Sequence, residues 1–134
     1  MNYDDKIELA EAFKKRTKKF AIDIVKLSPL FPKSPEGYIL VKQLIRSATS
    51  VASNYRAVCR ARSKAEFYSK ICIVVEEADE SVFWLELISE TGILNNEQTK
   101  NLLSEATKFS PLSHHPNVQH QHSINQQINK SIIR

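Results

Sequence analysis

The sequence predicts an all-α fold, an antiparallel up-and-down four-helix bundle with a short or irregular fourth helix, on three observations. Three long stretches carry apolar residues at alternating spacings of three and four, the period of a helix face rather than the period of two of a strand. Prolines and capping residues fall between these stretches and not inside them. Only two glycines occur in 134 residues, which leaves little material for hairpin turns, bulges or phosphate-cradling loops and argues against Rossmann and P-loop nucleotide binding. A chain of this length makes one domain, with helices expected at about 4–27, 35–60, 64–91 and 96–109 and a polar tail at 110–134.

The first helix is carried by Ala10, Phe13, Thr17, Phe20, Ile24 and Leu27, one continuous stripe that ends where Ser28-Pro29 and Phe31-Pro32 break the hydrogen-bond ladder. Ser34-Pro35-Glu36 starts the second, supplying a capping hydroxyl, a proline at the first helical position and an acid facing the positive helix end. Its stripe is Val41, Leu44, Ala48, Val51, Tyr55 and Val58. Ser63-Lys64-Ala65-Glu66 has the form of a capping box for a third helix, in which Ser63 and Glu66 reciprocally satisfy free N–H groups. Phe67, Ile71, Val74, Ala78, Val82, Leu85 and Ile88 follow, and Gly92 stands in the usual place after a helix end. A second apolar row, Tyr68, Cys72, Val75 and Phe83, widens this face, as expected of a helix that contacts two neighbours or another subunit. Asn95 can cap a fourth helix on Leu102, Leu103, Ala106 and Phe109, which Ser110-Pro111 stops at about half the length of the third. Beyond it, Ile124, Ile128 and Ile132 lie in a His/Gln/Asn-rich stretch readable as a disordered tail or as a short amphipathic helix.

Composition narrows the function classes. The chain is 42% hydrophobic and 25% charged, as in an ordinary soluble domain, and no apolar run approaches the ~18 residues of a membrane span. With an acidic N-terminus unlike a signal peptide, the expected location is cytoplasmic, with no membrane partner. Cys59 and Cys72 have neither metal-ligand spacing nor a disulfide register. All four histidines, His114, His115, His120 and His122, lie in the tail, so the helices lack the Glu-x-x-His pairs of a di-iron bundle. No nucleophile constellation is legible, and the expectation is a non-enzymatic protein with no catalytic residues, cofactor or metal.

Charge is polarised along the chain: residues 1–62 carry net +7 and residues 63–110 net −5. On the second helix Lys42, Arg46, Thr49, Ser53, Arg56 and Arg60 form a row one position on from the apolar stripe, and Arg62 extends it. Such a row of cations and hydroxyls can follow a phosphate backbone, with Lys14, Lys15, Arg16, Lys18 and Lys19 as a second basic block. Lys42, Arg46, Arg56, Arg60 and Arg62 are therefore the candidate nucleic-acid contacts. The alternative is a purely structural assembly protein whose arginines pair with Glu76, Glu77 and Glu80 of the third helix across a subunit interface, since like charges on one helix face need cations opposite them.

Phe31-Pro32, then Gln43-Leu44-Ile45-Arg46-Ser47-Ala48-Thr49-Ser50-Val51 and Asn54, resemble the signature of the bacterial four-helix-bundle family named for proteins encoded in intervening sequences of large-subunit ribosomal RNA genes. Residues 54–63, Glu76-Glu77-Ala78-Asp79-Glu80 and Trp84-Leu85-Glu86-Leu87 are similar to one branch of it. The resemblance covers about residues 5 to 109 and implies a small antiparallel bundle that forms a homo-oligomer, a ring-like pentamer. A related branch, the accessory variability proteins of diversity-generating retroelements, implies RNA or DNA and, by analogy, a reverse transcriptase as partners of a basic surface. The chain departs from the family after Phe109, where Pro111 and the polar tail replace the continuation of the fourth helix and leave apolar surface on the other three to be covered.

Overall fold

In the computed structural model, which describes residues 2–109 and 130–131, Asn2 opens the first helix, α1 (Tyr3–Leu27). Its side chain accepts from the Asp5 N–H at 2.8 Å and the Asp5 carboxylate accepts from the Asn2 N–H at 3.3 Å, a reciprocal cap. A single 3₁₀ turn over Ser28–Leu30 follows, and Phe31 turns extended and buries its ring. Ser34 then caps α2 (Pro35–Cys59) by accepting from the Gly37 N–H at 3.1 Å. The connection is tight: a Cβ on Gly37 would stand 2.1 Å from the Pro32 carbonyl oxygen, so only glycine fits there.

Ser63 caps α3 (Lys64–Glu90) through the Glu66 N–H, as the spacing predicts. The return bond differs, because the Glu66 carboxylate reaches one residue further back and accepts from the Arg62 N–H at 3.1 Å. At the far end Gly92 takes φ +75°, a left-handed conformation that costs glycine little, and the Leu94 N–H donates to the Ile88 carbonyl. The cap of α4 (Glu97–Thr107) is Asn96, whose side chain accepts from the Thr99 N–H at 2.8 Å; Asn95, the expected cap, instead accepts from the Ser89 hydroxyl.

The helices pack in a square in which α1 touches α2 and α4, and α3 touches α2 and α4, which puts α1 and α3 at opposite corners. Each stripe meets at the centre, with Phe20, Ile24, Leu44, Val51, Val74, Leu85 and Ile88 fully buried. Two details of α3 depart from the sequence expectation. Ser81, rather than its neighbour Val82, takes the inward position and hydrogen-bonds Ser47 of α2 at 2.9 Å, both side chains being fully buried. Two small residues at this level let α2 and α3 approach closely while satisfying each hydroxyl. Phe83, expected to widen the buried face, is 53% exposed.

At 1.5 Å per residue the 11 residues of α4 span about 16 Å, against about 38 Å for the 25 residues of α1. Phe109, two residues past α4, compensates at its end. Its ring is fully buried between Phe13 and Phe20, at centroid distances of 5.6 and 5.3 Å, both edge-on. Past that level Tyr68, Cys72 and Val75 of α3 remain half-buried. The isoleucines Ile124, Ile128 and Ile132 lie outside the described residues; Lys130 and Ser131 are helical and exposed.

Candidate nucleic-acid interface

All five cations expected to contact nucleic acid, Lys42, Arg46, Arg56, Arg60 and Arg62, lie on the exposed side of α2 and the turn that follows it. They are not equivalent. Arg46 is held inside the chain: its guanidinium pairs with Glu77 at 3.4 Å and with Glu80 of α3, and its Nε donates to Gln43 at 3.2 Å. Glu77 and Glu80, expected to bridge to a neighbouring subunit, thus meet their arginine within one chain, whereas Glu76 points away into solvent.

The electrostatics of this cluster follow from its contacts. The Arg46 hydrogen bond, helped by the Trp84 indole N–H at 3.2 Å, holds the Glu80 carboxyl below the ordinary glutamate value. Burial pushes Glu77 the other way, against the pull of Arg46. Arg46 itself is pushed above the ordinary arginine value by its bond to Glu80 and stays charged. An arginine so engaged has few N–H groups left for a phosphate.

By contrast, among the described residues the side chains of Lys42, Arg56, Arg60 and Arg62 make no ion pair. Arg56, Arg60 and Arg62 project from the last turn of α2 and the connection to α3, where Lys64, also exposed, follows two residues on. The hydroxyls of the predicted row are committed to their own helix, Thr49 donating to the Ile45 carbonyl at 2.7 Å and Ser53 to the Ser50 carbonyl at 3.3 Å.

The basic block of α1 is largely neutralised by the fold. Lys14 pairs with Glu11 at 3.1 Å and Lys19 with Asp23 at 2.6 Å. Arg16 forks onto both carboxylate oxygens of Glu105 on α4, at 2.5 and 3.2 Å, while its guanidinium lies 5.5 Å from the centre of the Phe109 ring. Lys15 and Lys18 alone of the block have no carboxylate partner among the described residues. The Lys14–Glu11 and Lys19–Asp23 pairs stand at helical spacings that the sequence shows, whereas the Arg16–Glu105 pair joins residues eighty-nine apart and left no signal in residue spacing.

A cavity of about 470 Å³ lies between α1 and α4, floored by Phe20, Leu27 and Leu102. Its rim is the Arg16–Glu105 and Lys19–Asp23 pairs, which occupy one another. Cys59 and Cys72 are free thiols, and burial pushes Cys59 above its usual value, the direction opposite to that of an activated thiolate. Among the described residues no group of three or more His, Cys, Asp or Glu is placed to hold a metal ion, and no helix is long and apolar enough to cross a membrane.

Comparison with known proteins bears on this architecture. A model of the 23S rRNA-intervening sequence protein family matches residues 11–115. Among solved structures, the chain is similar to a protein of unknown function from the S23 ribosomal protein family of Bacteroides thetaiotaomicron. That similarity has a TM-score of 0.70 and 31% sequence identity, and it covers 77% of this chain and 92% of the other. Comparison with curated proteins gives no match. The four packed helices and a match across most of their length agree: the chain belongs to the 23S rRNA-intervening sequence protein family.

Proposed function

We propose that the chain is a non-enzymatic, self-assembling adaptor that binds nucleic acid through the cationic end of α2. One observation carries this reading: Arg56, Arg60 and Arg62 stand exposed within seven residues with their guanidinium groups in no ion pair among the described residues, while Arg46, on the same row, is paired by α3. Unpaired arginines at that density repel one another and are stabilised by phosphates, and releasing the counterions of a nucleic acid supplies the binding free energy. Membership of a family named for 23S rRNA intervening sequences makes RNA the first probe.

The test is fluorescence anisotropy of the full chain with a single-stranded RNA and with a duplex DNA across a salt series. Replacing Arg56, Arg60 and Arg62 together by Gln should weaken binding and flatten its logarithmic salt dependence by roughly 2 to 3, at about 0.7 per contact on single strands and 0.9 on duplex. Arg46→Gln should leave the salt slope unchanged. A triple variant that binds with the slope of the parent chain refutes the assignment.

A further inference from the structure

The acidic face of α3 and the outer face of α1 match each other in a way that neither can use within one chain. Glu76, Asp79, Phe83, Glu86 and Glu90 share one exposed stripe of α3, at spacings of three and four, so a phenylalanine with half its surface in water sits in a row of carboxylates. On α1, Ile22 is 43% exposed and Lys18 and Lys26 lie one turn to either side of it, neither with a carboxylate partner among the described residues. Val25 adds a second exposed apolar side chain there. Each face is thus an apolar centre with charges one turn above and one turn below, negative on α3 and positive on α1.

We infer that the acid-flanked Phe83 of α3 docks on the lysine-flanked Ile22 of α1 in a second copy of this chain. Because α1 and α3 stand at opposite corners of the bundle, their outer faces point in opposite directions, and only another copy brings the two together. Asp79 and Glu86 meet Lys18 and Lys26 as Phe83 covers Ile22 and Val25. The contact joins two different faces, so every chain keeps one of each and further copies add in the same head-to-tail way. A nucleic acid on the α1 lysines would satisfy those charges but would leave the isoleucine and the whole α3 stripe without a partner.

The inference rests on the self-assembling part of the proposed function, and the experiment separates the two. Native mass is measured for the full chain at moderate salt by light scattering after size exclusion. Asp79→Lys with Glu86→Lys, and separately Lys18→Glu with Lys26→Glu, should each reduce the mass to that of one chain, 15.3 kDa, while helicity by circular dichroism is kept. Mixing the two reversed proteins restores opposite charges wherever the two kinds alternate and should raise the mass again above that of one chain, whereas neither assembles alone. Where a reversed chain loses helicity, Phe83→Ser and Ile22→Ser, which leave charge untouched, should produce the same fall to a single chain. A parent chain that is itself monomeric overturns both the self-assembly reading and this interface. A parent oligomer that survives both reversals and both serine variants overturns the interface alone.

Discussion

Phe109→Ala removes the side chain on which the short fourth helix depends. Eleven residues make a helix that is marginal in water, so α4 is held by what it buries: Thr99, Leu102, Ala106 and, two residues past its end, Phe109. The Phe109 ring is fully buried, touches Phe13 and Phe20 edge-on and lies under the Arg16 guanidinium. Truncating such a phenylalanine costs about 3–5 kcal/mol in transfer and cavity terms, and two aromatic contacts at ~0.5–1.5 kcal/mol each place this site toward the upper end. Against a stability of roughly 5–15 kcal/mol for a domain of this kind, that is a third or more of the total. In thermal unfolding, at about 4 °C per kcal/mol, the midpoint should fall by roughly 12–20 °C. Hydrogen exchange should show α4 amides losing protection before those of α2 and α3, and Phe109→Leu should recover most of the loss. A loss of under ~1 kcal/mol, with α4 protection intact, would refute the claim that Phe109 fastens this helix.

Two further perturbations test the local reasoning. The Trp84 indole, the only one in the chain, donates to Glu80, so its fluorescence reports that carboxylate. Glu80 is held below its ordinary value near 4.5, so its contribution is complete above that value and is lost as pH falls through the lower, folded one. Glu77, raised by burial, contributes with the opposite sign, its share fading as pH rises through its own folded value. The acid transition of Trp84 emission should therefore lie below 4.5 and move up in Arg46→Gln; a midpoint at or above 4.5 in the parent chain contradicts the pairing. Gly37→Ala would drive a methyl group into the Pro32 carbonyl, and overpacking of this kind should lower stability by about 1–3 kcal/mol in urea unfolding, whereas an unchanged midpoint would show that the turn relaxes freely.

Much of the fold was legible before any coordinates because it is written in local terms. The stripe from Phe13 to Leu27, the prolines at 29 and 32, the Ser34 and Ser63 caps and Gly92 each act within one or two helical turns, and each stands where the spacing put it. The small errors are of the same local kind. Asn95 and Asn96 are chemically identical caps, and which one serves depends on how the chain leaves the Gly92 turn. Ser81 and Val82 compete for one inward position, and hydrophobicity favours the valine; the serine wins because Ser47 stands opposite with a hydroxyl to bond it.

The candidate interface was legible only as a set of cations. Spacing placed Lys42, Arg46, Arg56, Arg60 and Arg62 on one side of α2, but an arginine's availability is decided by what faces it across a helix contact. Glu77 and Glu80 come level with Arg46 and pair with it, while neither Arg56 nor Arg60 makes an ion pair among the described residues. In the same way Arg16 was read as part of a basic block, yet Glu105, eighty-nine residues away, takes its whole fork.

By itself, then, the sequence determined the helices and their inward faces, because hydrogen-bond ladders, caps and the period of 3.6 act between near neighbours. Only the tertiary structure decided which charges are spent and which remain. Ion pairs between helices depend on the register of one helix against another, a distance that no single stripe contains. That register spends Arg46 and Arg16 inside the chain and leaves the arginines at the end of α2, the lysines around Ile22 and the acids around Phe83 facing outward.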